Sequence, residues 1–184
     1  MGPSEGGQTM IRGNVLKPKI LSPLGLLNRG HRFLESAITL GGSRSDAYAQ
    51  FHPVPHYLIG HAIELLLKAY LSAEGTPERR LRKLNHDLDE LLRSADDAGL
   101  GAHVSLSVTD RGSVEFLNTH YSTKQLEYTT LSAGETRLVS YQDLPYLEEV
   151  ASKLYDGLRG HCLAKTKEQR EVERGIDSDT DSQE

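Results

Sequence analysis

The 184-residue chain has no tryptophan, three phenylalanines and one cysteine, and each shortage closes off a class of protein. A lone thiol, Cys162, cannot form an intramolecular disulfide, so a small disulfide-stapled fold is excluded. No charge-free run of about 20 apolar residues is present, which excludes a membrane span. The opening MGPSEGGQTM is polar and no apolar signal segment follows it, so a cytoplasmic location is expected. A net charge of −5 argues against a globally basic nucleic-acid-binding surface and leaves only a local patch to be sought. P-loop, dinucleotide fingerprint, zinc-ligand set and nucleophile elbow are all missing, so neither a cofactor nor a metal is expected.

What the chain has instead is one long apolar stretch, Pro55–Ala73 (PHYLIGHAIELLLKAYLSA). At 3.6 residues per turn its Leu, Ile, Ala and Tyr side chains cover almost every direction, so it should be a central buried helix. One narrow stripe stays polar, made by His61, Glu64 and Lys68. Pro53 and Pro55 suit the approach and first turn, and Gly75 suits the left-handed residue that closes the end. With 37% hydrophobic residues the chain can bury one sizeable core around this helix.

The other elements are read from their punctuation. Residues 1–20 carry several Gly and Pro and no periodicity, which predicts a disordered arm. Ser22–Pro23 opens a first helix with apolar helical spacing, about Pro23–Leu40. Thr76–Pro77 reads as cap and first residue of a short basic segment, ERRLRK, and Asn85 as the cap of the next start. From His86, HDLDELLRSADDA places Leu88, Leu91, Leu92 and Ala95 on one face, ending at Gly99. Thr109 or Asp110 caps a helix through Val114, Leu117 and Tyr121. LEYTTL and TRLVSY around SAGE predict a small β-hairpin or an irregular loop. The last helix starts at Asp143–Leu144–Pro145 and carries Leu147, Ala151, Leu154, Leu158 and Cys162 on one face. Residues 164–184 lack an apolar stripe and read as a disordered acidic tail. The expected fold is therefore all-α, a single up-and-down bundle of four to five helices over 21–163, with that insertion before the last helix.

Three polar constellations stand out. His52, His56 and His61 lie four and five residues apart, but Pro53 and Pro55 put His52 outside the helix, so they are not read as metal ligands. Glu64 and Lys68, one turn apart on a buried helix, must be compensated, with each other and with His86 as the neighbours at hand. The basic segment offers two readings: Arg79, Arg80, Arg82 and Lys83 are a solvated face, or a phosphate-contact patch beside His86. Histidine can move the proton of a ribose 2′-hydroxyl while arginine holds the phosphate, which is ribonuclease chemistry without a metal.

GHAIELLLKAYL, a short loop and then KLNHDLDELL together resemble the HEPN family of prokaryotic helical domains. Its members often carry an E-x-x-x-K-A-x-L helix followed by a G/N-H-D-L helix start, here Glu64, Lys68, His86 and Asp87. The likeness covers mainly residues 55–98. It implies a helical bundle, usually a homodimer, working in toxin–antitoxin, phage-defence or other RNA-linked systems, either as a metal-independent RNase or as a binding or regulatory module. Active members usually place R-x(4–6)-H at the start of a late helix, whereas Arg80 and His86 stand mid-chain, and neither Arg111 with His120 nor Arg159 with His161 has the right spacing. The expectation is thus a non-catalytic module with RNA, a nucleotide or a protein as partner. The alternatives are an endoribonuclease using His86 with Arg79 or Arg80, and a purely structural interaction domain.

Overall fold

Three helix starts in this chain are set by side chains that satisfy orphaned backbone groups. The Ser22 hydroxyl accepts from the Gly25 N–H at 3.2 Å, and Pro23, which has no N–H to satisfy, begins α1 (Pro23–Gly42). The second helix, α2 (Pro53–Ala73), starts two residues ahead of the expected Pro55. It closes at Gly75, whose φ of +81° lets the Thr76 N–H reach the Leu71 carbonyl and the Gly75 N–H reach that of Ser72. The computed structural model describes residues 22–42, 53–124, 126 and 144–180.

Short elements follow. Pro77 occupies the cap position of α3 (Glu78–Lys83) and not its first turn. Asn85 does not cap the next helix; it takes a left-handed φ of +46° in the turn, and Asp87 caps α4 (Leu88–Asp97) by accepting from the Glu90 N–H. Leu88, Leu91, Leu92 and Ala95 form the buried face of α4, as their spacing requires. After Gly99 and a 3₁₀ turn, Leu100–Ala102, comes α5 (Val108–Tyr121). Its cap is Ser107, one turn before Asp110, because the two exchange hydrogen bonds reciprocally and satisfy two donors at once. The segment read as a β-hairpin lies almost wholly outside the described residues, as does the arm 1–20.

The last helix, α6 (Leu144–Thr180), corrects the boundary drawn at 163. Lys165 pairs with Glu168 at 2.9 Å, and Thr166 is buried, with its hydroxyl accepting from the Leu24 N–H at 3.0 Å. The helix thus continues past Cys162, and Thr166 docks it on the start of α1.

Among the described residues there are six α-helices and no strand, an all-helical bundle. The helix α2 touches each of the other five, and Ile59, Ile63, Leu66, Leu67 and Tyr70 are almost fully enclosed. No helix among the described residues is long and apolar enough to cross a membrane.

Where α6 crosses the 3₁₀ turn, a Cβ on Gly157 would lie 2.7 Å from the His103 carbonyl oxygen, whereas one on Gly160 would meet nothing within 4 Å. Urea denaturation should show Gly157→Ala losing about 1–3 kcal/mol through forced backbone displacement. Gly160→Ala should gain about 0.5–1 kcal/mol from helix propensity; equal effects at both sites would refute this packing.

Candidate functional site

The polar stripe of α2 converges on one carboxylate. Glu64 is 3% exposed, a position where an unpaired charge would cost several kcal/mol. One turn along the helix, the Lys68 ammonium donates to its Oε1 at 2.6 Å and to the Asn85 carbonyl at 2.9 Å. From the end of α5, the Tyr121 hydroxyl donates to Oε2 at 2.6 Å. From the turn before α4, the His86 Nδ1 lies 2.9 Å from the same oxygen. His61 joins through Tyr121, its Nδ1 at 3.1 Å from that hydroxyl and 3.6 Å from Oε2. Tyr121 fits because Gly60 has no Cβ: one there would stand 2.6 Å from the ring.

Burial alone would raise the Glu64 pKa, but the donors His61, Lys68 and Tyr121 and the Lys68 charge outweigh it and hold the carboxyl well below its ordinary range. An ionised carboxylate only accepts, so the hydrogen in the His86 contact sits on Nδ1. Because the Tyr121 hydroxyl donates to Glu64, it accepts from His61, whose Nδ1 also carries a hydrogen. Both imidazoles therefore turn their Nε2 atoms away from Glu64. With side chains about one-third and one-quarter exposed, His86 and His61 reach solvent, and the Nε2 of His86 has no partner among the described residues.

The residues singled out in the sequence fall into two groups. His61, Glu64, Lys68 and His86 come together, and Asp87 stands beside them as the cap of α4, bonded also by the Asn118 amide at 3.2 Å. The arginines do not join them. Arg79, Arg80, Arg82 and Lys83 are all exposed, and Arg82 pairs with Glu78. Among the described residues the side chains of Arg79, Arg80 and Lys83 form no hydrogen bond or ion pair. His56 is buried, and His52 lies outside the described residues.

Sequence reasoning missed Tyr121 and Asn118. The Asn118 side chain accepts from the Leu88 N–H at 2.8 Å and donates to Asp89 at 2.9 Å, closing the open end of α4. Both lie on α5 about 30 or more residues from their partners, and no local spacing signals such a contact.

Comparisons with family models, with curated proteins and with solved structures returned no match for this chain.

Replacing Glu64 by Gln removes the charge that Lys68 faces inside the bundle and should cost about 3–5 kcal/mol at neutral pH, read by chemical denaturation. The depressed pKa fixes the sign of the pH dependence. The carboxylate's contribution is complete above its ordinary value of 4.5 and is lost as the pH falls toward the folded-state value. The gap between wild type and Glu64→Gln should therefore narrow below pH 4.5; a gap independent of pH would refute the assignment.

Proposed function

We propose that this protein is a HEPN-like helical binding or regulatory module, non-catalytic, acting as a cytoplasmic homodimer with RNA or a partner protein in a prokaryotic defence, toxin–antitoxin or RNA-linked system. The observation that carries this reading is the Glu64–His86 hydrogen bond. It joins the two stretches of the family likeness, E-x-x-x-K and N-H-D-L, and commits the histidine to holding α2 against the start of α4. The arginines that a nuclease would need beside it point instead to solvent. The exposed Arg79, Arg80 and Lys83 then serve as the contact face for an anionic partner, with RNA the first to test.

One observation favours a second reading, a metal-independent ribonuclease. A histidine whose Nδ1 is fixed by a buried carboxylate and whose Nε2 faces solvent has the geometry of a general base. Arg79 or Arg80 would then hold the phosphate.

Fluorescence anisotropy with a panel of labelled RNAs separates these. The module reading expects intact RNA and salt-dependent binding that weakens at least about tenfold when Arg79, Arg80 and Lys83 are all changed to Ala. Cleavage by wild type in chelator, abolished in His86→Ala, would replace it with the nuclease. Absence of binding to any RNA or nucleotide would leave a purely structural interaction domain. Light scattering should return twice the 20.4 kDa chain mass.

A further inference from the structure

Away from Glu64, three potential ligand groups from three separate elements meet where α2 ends. Glu74 follows the last residue of α2 and is held by its N–H to the Tyr70 carbonyl at 3.0 Å. His103 follows the 3₁₀ turn, its N–H bonded to the Leu100 carbonyl at 2.9 Å. His161 lies on α6 one turn beyond Gly157, the residue whose missing side chain lets α6 press against the His103 backbone. That close approach sets the two imidazoles in register, with ring centroids 4.2 Å apart and planes inclined by 38°. Tyr70 supports both rings from below at 5.7 Å and is itself anchored by its hydroxyl to the Ala98 carbonyl.

The His161 Nε2 stands 2.5 Å from Glu74 Oε1, although the two residues are 87 apart in sequence. An ion pair accounts for those two groups and leaves the third unexplained. Among the described residues the exposed His103 ring makes no hydrogen bond; it lies tilted against the His161 ring with its ligating nitrogen in reach. One ligand atom from each of the three residues lies within 4.8 Å of the other two. Around a tetrahedral ion with bonds of ~2.0–2.2 Å, ligand atoms stand about 3.3–3.5 Å apart, so rotamer adjustments of about 1 Å suffice. The backbones need not move, because each is fixed by the contacts above.

We propose that Glu74, His103 and His161 bind one divalent transition-metal ion of the zinc class, stapling the end of α2, the 3₁₀ turn and α6 together. Two imidazoles and one carboxylate suit zinc, cobalt, nickel or copper and not calcium or magnesium, which take oxygen sets. Cys162, adjacent to His161, is no ligand: its side chain is fully buried in the core and is not among the converging groups. Three protein ligands leave a fourth position to water at the partly exposed surface.

The test uses the full chain after dialysis against chelator. Titration calorimetry with zinc chloride should give one equivalent per chain and a rise in Tm at saturation, and cobalt chloride should produce the visible absorption of a tetrahedral site. His103→Ala removes a ring without hydrogen bonds, so its fold should survive, and Glu74→Gln keeps the shape of the second variant. Each should weaken zinc more than about 100-fold, beyond the 10–100-fold cost of losing an outer partner of a metal ligand. His120→Ala, in the last turn of α5 and outside both polar clusters, should bind as wild type does. Zinc binding below one equivalent in wild type, undiminished binding in His103→Ala and Glu74→Gln, or loss of it in His120→Ala would each overturn the proposal.

Discussion

A negative charge enclosed at the middle of the longest apolar stretch is the constraint on which the rest of this bundle depends. Glu64 tolerates near-complete burial only because donors from α2 itself, from the turn before α4 and from the end of α5 all reach it at 2.6–2.9 Å. Such an arrangement is specific before it is strong. Two apolar residues of the same shape would give a comparable core, whereas the carboxylate accepts only one mutual placement of three elements. Greasy surfaces that would otherwise slide over one another are thereby held at a single setting.

A second carboxylate repeats the device at the opposite end of α5. Asp110 is buried, which alone would raise its pKa, but the Ser107 backbone and hydroxyl, the Tyr146 hydroxyl and the Lys153 ammonium hold it lower. The donor set again includes a tyrosine and a lysine, at 3.0 and 3.2 Å, this time from α6. One helix is thus pinned by an acid on its neighbour at its C-terminus and by its own acid at its N-terminus. What differs is the donor set: imidazoles reach Glu64, whereas among the described residues no imidazole bonds Asp110.

The sequence was most legible where local patterns carry the physics. Apolar spacing marked the buried face of α4 residue for residue, and the all-round apolar α2 was readable as the hub because no amphipathic surface helix has that composition. The meeting of Glu64, Lys68 and His86 also followed from chemistry, since a charge on a buried helix must find donors. Caps were less legible: Ser107, Asp110, Asn85 and Asp87 all belong to types that suit several turn positions, and only the hydrogen bonds decide among them. Tyr121 and Thr166 were not legible, because their roles depend on which distant backbone or carboxylate the packing brings alongside. The end of α6 was misjudged for the same reason.

The bond from the Leu24 N–H to the Thr166 hydroxyl has a consequence for how the chain is made. The amide and the group that completes it are separated by 142 residues. At synthesis rates of about 5–20 residues per second, that interval is roughly 7–28 s on the ribosome. During it the first turn of the nascent amino-terminal helix has only water to hold that donor. Docking at this point therefore waits until Thr166 has been made, and any factor that meets the growing polypeptide before then meets α1 with that donor unlatched.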